Sequence, residues 1–399
     1  VDTKQLMEWS DKHLMTFAKR YPVALVRGEG VRVWDSNGKE YLDFTGGIAV
    51  TALGHSHPKV VGTLREQAAT LLHVSNLFHI PQQIHLAKLL CEHSFADRVF
   101  FSNSGAEANE TAIKLARKWA KEHGASDRGD IISMRGGFHG RTLATVTATA
   151  QDKYHHGFEP LPTGFKYVPF NDLRAVERAI DSKTAGVLVE PIQGEGGVNV
   201  PDDGYLPGLR KLCDEAGVLL ILDEIQTGMG RTGKLWCYEH AGVTPDIMTL
   251  AKALANGVPI GATLATEDVA RVLTPGTHGT TFGGNPLATA VGLTVFTTLI
   301  EERLAERAAQ MGRVLRERLL AMQGRTGTAV KEIRSKGLLV GMDLAAPVGD
   351  VVAACRERGL LVLTAGDNAL RLAPPLIVDE PSIERAVEII GRALGDVRP

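Results

Sequence analysis

Apolar residues in this chain fall into two patterns. Through the middle they form short unbroken runs; toward the end they recur at helical spacing. The runs cover residues 99–102, 131–134, 167–169, 186–189, 218–222, 247–250 and 260–264. Runs this short and apolar on both faces predict strands of a sheet that helices cover on each side. Helical patterns lie between them. Over residues 106–120, Ala108, Ala112, Leu115, Ala116 and Trp119 share one helical face. The middle of the chain therefore reads as a doubly wound, mostly parallel α/β sheet.

The flanks read differently. Residues 23–44 hold two or three short strands, with Asn37-Gly38 as a hairpin turn because both residues tolerate positive φ. Beyond Pro286, a stripe of Leu304, Ala308, Met311, Leu315, Leu319 and Met322 predicts a long helix. Strand-like segments follow at 337–344, 360–365 and 369–376, with helices near 350–358 and 381–394. The expected division is an arm at 1–50, a large domain at 51–286 and a smaller α+β domain at 287–399, to which the arm belongs. The sequence contains no repeats and no low-complexity linker.

In open α/β sheets, ligands sit beyond the carboxyl ends of the strands. Residues just after each predicted strand are therefore candidates. They include Ser104-Gly105-Ala106, Phe138 and Arg141, Glu190 and Glu195, Asp223 and Gln226, and Lys252. The Ser-Gly-Ala turn opens a helix, so it suits either an anion on free N–H groups or a simple cap. Asp223 ends an apolar strand and needs a partner, either an ion pair or a ring nitrogen. Lys252 follows another apolar run, where desolvation would lower its pKa and make it nucleophilic. One helical crossover separates the two, so neighbouring strands could present both to one ligand. Gly228, Gly230 and Gly233 spell a G-x-G-x-x-G. It starts too far beyond its strand, and no convincing helix follows, so a loop near the site fits better than a dinucleotide turn.

The net charge of −2 gives no reason to expect nucleic acid or an anionic membrane as a partner. Cys91, Cys213, Cys237 and Cys355 are scattered, as expected of reduced thiols. His55, His57 and His139 have no acidic or cysteine partner at ligand spacing, which favours structural roles over a metal. The first residues lack the apolar core of a signal peptide, and a cytoplasmic protein is expected.

The ordered set NSGAEANE, GGFHGRT, VEPIQGEGG, LDEIQTGMGRTG, LAKALANG and HGTTFGGNPLA resembles the class III aminotransferases that use pyridoxal phosphate. GGIAVTALGH and HVSNLF look closest to the members acting on acetylornithine or succinylornithine. The resemblance implies fold type I, with a seven-stranded sheet in the large domain. It implies that Lys252 bonds covalently to the cofactor and later moves a proton, while Asp223 pairs with the pyridine nitrogen. Phe138 would stack on the ring, Gln226 would meet its phenolic oxygen, and Ser104, Gly105 and Ala106 would grip the phosphate. Thr281 would reach the phosphate of a neighbouring subunit, which implies a homodimer with shared sites. Arg141 would hold a distal carboxylate and Arg371 the α-carboxylate of glutamate. Glu195, in a flexible GEGG run, would cover Arg371 when the other substrate binds; a structural Glu195–Arg371 pair is the alternative. Ser75 and Asn76 would contact the acyl group. Ile48 stands where ornithine δ-aminotransferases typically carry Tyr, and an apolar residue suits an acylated nitrogen. The implied reaction moves the terminal amino group of N-acetyl-L-ornithine to 2-oxoglutarate. Succinylornithine, ornithine and 4-aminobutyrate are the rival donors, and an aminomutase the rival reaction.

Overall fold

The structure, a computed structural model, describes residues 2–326 and 329–397. Its central sheet has seven strands. They are β4 (Arg98–Ser102), β5 (Asp130–Met134), β6 (Phe165–Val168), β7 (Thr184–Val189), β8 (Leu219–Asp223), β9 (Ile247–Leu250) and β10 (Gly261–Ala265), in the spatial order β4-β10-β9-β8-β7-β5-β6. Each coincides with one of the apolar runs. Every residue of β7, β8, β9 and β10 is buried, as strands covered on both faces require. The side chains of β8 alternate between two cores: Leu220 and Leu222 enter one, Leu219 and Ile221 the other.

Pairings from β9 through β8, β7 and β5 to β6 are parallel. The link 251–260 is too short for a parallel crossover, so β10 turns back antiparallel to β9 and pairs antiparallel with β4. Helices carry the parallel crossovers except the one from β8 to β9, where the expected helix is absent and the only regular element is a 3-10 turn, Cys237–His240. The predicted amphipathic stretch is helix Gly105–Glu122, with Ala108, Ala112, Leu115 and Ala116 buried.

Two smaller sheets lie outside this one. The first strands, β1 (Leu25–Glu29), β2 (Arg32–Asp35) and β3 (Glu40–Asp43), form a meander. Its fourth strand comes from far along the chain: β13 (Leu360–Leu361) pairs parallel with β3. Of the turn pair only Gly38 takes positive φ, at 83°; Asn37 instead donates its N–H to Asp35 Oδ1 at 2.9 Å. The last sheet is antiparallel, in the order β11 (Val330–Lys336), β12 (Leu339–Leu344), β15 (Ala369–Leu372), β14 (Leu363–Ala365). The striped helix Leu304–Thr326 buries all six of its predicted apolar positions. Strand β15 carries Arg371 toward the central sheet, where its guanidinium meets Glu195.

Leu220 is fully buried in the middle of β8, whereas Leu320 is 38% exposed on the long helix. Leu220→Ala is expected to cost about 2–5 kcal/mol and Leu320→Ala less than about 1 kcal/mol. Denaturant midpoints at one protein concentration check this; equal losses would contradict the packing described.

Candidate active site

The site is built around Asp223, the last residue of β8, which is only 3% exposed. A carboxylate left there unpaired would be costly, and three donors meet it. Asn109 Nδ2 donates to Oδ2 at 2.8 Å, His139 Nδ1 lies 2.7 Å from the same oxygen, and the Ile225 N–H donates to Oδ1 at 3.1 Å. Asn109 also donates to the His139 carbonyl at 2.8 Å and accepts from Thr249 Oγ1 at 2.8 Å. One buried amide thus ties the helix after β4, the loop after β5 and strand β9 to the end of β8. His55, by comparison, meets Asp43, with Nε2 2.8 Å from Oδ2.

Lys252 follows β9 and takes φ 37°, a region that a non-glycine residue rarely occupies. Asn256, four residues on, fixes this turn: it accepts from the Leu53 N–H at 2.8 Å and donates to the Gly54 carbonyl at 2.9 Å. Among the described residues the Lys252 amine has no hydrogen-bond partner. Burial pushes its pKa below the ordinary lysine value. The Glu195 carboxylate opposes that shift, and the Arg371 cation adds to it.

Lys252 and Asp223 line one cavity of about 430 Å³. Ser104, Gly105 and Ala106 form part of its wall. Ser104 is the helix N-cap, its Oγ accepting from the Glu107 N–H at 3.2 Å, so the capping role is real. The N–H groups of Gly105 and Ala106 have no protein acceptor among the described residues. A Cβ on Gly105 would stand 2.8 Å from Ile225 Cδ1, so any larger residue there would have to displace the Ile225 side chain after Asp223.

Phe138, Arg141, Glu195 and Gln226 line the same cavity. Arg371 joins through its partners: Nη1 donates to Glu195 Oε1 at 2.7 Å, to the Gly194 carbonyl at 3.1 Å and to Gln226 Oε1 at 3.2 Å. Burial alone would raise the Glu195 carboxyl. The Arg371 and Lys252 charges outweigh it and hold that carboxyl below its ordinary value.

The GEGG run is bonded to its neighbours at several points, which gives its glycines a reading other than flexibility. The Glu195 carbonyl accepts from the Gly366 N–H at 2.8 Å. Arg334 donates to the Gly197 and Val198 carbonyls at 2.8 and 3.2 Å while pairing with Asp343. A Cβ on Gly194 would stand 2.4 Å from Gln226, and one on Gly196 would stand 2.7 Å from the Gly136 carbonyl. These glycines serve close approach.

Three candidates lie away from this cavity. Asn76 donates to the Gly283 carbonyl at 3.0 Å, Ser75 Oγ accepts from the Leu77 N–H at 3.3 Å, and Thr281 lines a separate cleft beside His278. Ile48 is 45% exposed, in a run of four left-handed residues from Gly46 to Ala49. Asn109 gained a place here that the sequence had not assigned, and Glu190, a strand-end candidate given no role, gained partners. Glu190 accepts from the Phe138 N–H at 2.9 Å and the Gly194 N–H at 3.0 Å. Burial, and then the Asp223 charge, push its pKa up to about 7.

Residues 16–394 match the family model "Aminotransferase class-III". The chain belongs to the class III aminotransferases. An acetylornithine aminotransferase of Caldanaerobacter subterraneus subsp. tengcongensis is 50% identical to it over 394 residues, covering 98% of this chain and 100% of the relative. One from Methanocaldococcus jannaschii is 47% identical, covering 97% and 96%. Among solved structures, the ornithine aminotransferase from Toxoplasma gondii has TM-score 0.96 at 38% identity, covering 99% and 96%. The acetylornithine aminotransferase from Elizabethkingia anophelis has TM-score 0.89 at 36% identity, covering 99% and 100%.

Two outcomes follow for this aminotransferase. Asn109→Ala strips a donor from Asp223 and an acceptor from Thr249, and is expected to cost about 1–3 kcal/mol of stability; an unchanged unfolding midpoint would contradict the network. Glu190 holds its proton more tightly folded than unfolded. Its contribution to stability is therefore full below the ordinary value of 4.5 and is lost as pH rises through about 7. The Tm of the native protein minus that of Glu190→Gln should fall between pH 5.5 and 8; a difference that rises would contradict the burial argument.

Proposed function

We propose that this aminotransferase binds pyridoxal phosphate in the Lys252–Asp223 cavity and moves the terminal amino group of N-acetyl-L-ornithine to 2-oxoglutarate. The products are N-acetyl-L-glutamate 5-semialdehyde and L-glutamate, a step of arginine biosynthesis, in the cytoplasm. The observation that carries the reading is one cavity with an unpartnered lysine and a triply bonded aspartate, in a chain half identical to acetylornithine aminotransferases along nearly its whole length.

The residues present fit the cofactor. The Gly105 and Ala106 N–H groups, at the start of a helix, suit its phosphate. Asp223, an acceptor already oriented by Asn109 and His139, suits a protonated ring nitrogen. Phe138 suits the ring face, Gln226 its phenolic oxygen, and Lys252 its aldehyde. When bound, the cofactor supplies an acceptor for the amino group and a sink for the electron pair left on the substrate carbon. Lys252 Nζ, whose pKa burial lowers, can take the proton from that carbon and return it elsewhere.

Substrate recognition divides between two arginines. Arg141, with no acceptor of its own among the described residues, suits a carboxylate of the acylated donor. Arg371 suits the α-carboxylate of glutamate, for which Glu195 must move aside. With N-acetylornithine bound, Glu195 stays on Arg371 and spares a buried, unpaired cation. The backbone of Glu195 is tied down, so its side chain alone makes the exchange. Ile48 offers no hydroxyl to a free α-amino group, which favours the acylated donor over ornithine.

Ser75, Asn76 and Thr281 fit a homodimer. They lie apart from the cavity of their own chain, beside Leu77, Phe78 and Phe282, which are 88%, 66% and 62% exposed. Apolar exposure of that kind marks an interface. In a second copy they would complete its site, Thr281 at the phosphate and Ser75 with Asn76 at the acyl group.

A donor panel with 2-oxoglutarate tests the assignment. kcat/KM for N-acetylornithine should exceed that for ornithine and 4-aminobutyrate by about tenfold or more; parity with either would overturn it. In Glu195→Ala, kcat/KM should drop for N-acetylornithine and hold for glutamate. An unchanged ratio of the two would refute the switch.

A further inference from the structure

Arg371 and Arg141 are held in opposite ways. Arg371 uses Nη1 on a carboxylate and two oxygens of neighbouring groups. Arg141 has no such partner among the described residues. Its guanidinium carbon instead lies 3.9 Å from the centroid of the Tyr154 ring and 5.6 Å from that of Phe138. A guanidinium is flat: stacking occupies a face and leaves the donor edge free.

The ring that does this is itself fixed. Tyr154 meets Phe138 edge to face, with centroids 6.0 Å apart at 84°. Its short helix, Asp152–Tyr154, is tied on the near side by Gln151, whose Nε2 donates to the Gly137 carbonyl at 2.9 Å. On the far side, His155 Nε2 bonds the Thr149 carbonyl at 2.7 Å. The Tyr154 hydroxyl has no hydrogen-bond partner among the described residues, so the ring is the part in use. The Lys153 amine, 5.0 Å from the same centroid, adds positive charge that draws an anion there.

We propose that Tyr154 is a positioning residue for the substrate carboxylate, a shelf that orients the Arg141 guanidinium while leaving its N–H edge open. The proposal rests on the reading that Arg141 takes that carboxylate. Tyr154 does not line the Lys252 cavity, so its contribution is binding of ground state and transition state alike. That raises KM when lost and spares kcat.

The test uses the holoenzyme with two donors, N-acetylornithine and its decarboxylated analogue N-acetylputrescine. In Tyr154→Leu, KM for N-acetylornithine should rise about three- to tenfold with kcat within about twofold, while kcat/KM for N-acetylputrescine stays the same. Tyr154→Phe should restore the native KM. Tyr154→Met, of similar bulk without a ring, serves if the leucine variant is insoluble. An equal loss for both donors, or no rescue by phenylalanine, overturns the shelf. Arg141→Ala separates the two ideas. If it abolishes the preference for the carboxylated donor while the Tyr154 variants leave KM alone, only the shelf falls. If it leaves the preference intact, the reading of Arg141 falls with it.

Discussion

A negative charge buried at the end of an apolar strand is the constraint on which this structure depends. Asp223 cannot sit there without donors, and the donors come from elements far apart in sequence. Asn109 belongs to the helix after β4, His139 to the loop after β5, and Thr249, which holds Asn109, to β9. Satisfying one carboxylate therefore fixes the relative placement of four elements. Their loops carry the phosphate-type turn, the aromatic face and the lysine. The chemistry of the site and the register of the sheet edge are settled by the same bonds.

Three basic side chains share the neighbourhood, and each is held differently. Lys252 is buried, and burial lowers its pKa. Arg371 is covered by the Glu195 carboxylate. Arg141 is steered by an aromatic face, its donors unspent. The three thus differ in what holds them: burial without a hydrogen-bond partner among the described residues, a carboxylate, and an aromatic face.

The seven central strands were legible because burial on both faces leaves a run with no polar interruption. Helix Pro286–Glu301 was not, because it is apolar nearly all round and offers no amphipathic period. Strand β11 was missed for the opposite reason: at the edge of its sheet it buries only Val330 and reads KEIRSK. Asp223, Lys252 and Phe138 stood out as strand-end residues. Asn109 did not, because its partner lies 114 residues away. The one local hint was an amide beside the buried alanine stripe. The GEGG run shows a further limit. Glycine in a sequence looks the same whether it permits motion or close contact, and only the neighbours Gln226 and Gly136 decide between them.

The most direct measurement is borohydride reduction of the holoenzyme followed by peptide mass mapping. The account predicts a phosphopyridoxyl group on Lys252 and on no other lysine. A group found elsewhere, or none at all, would contradict it.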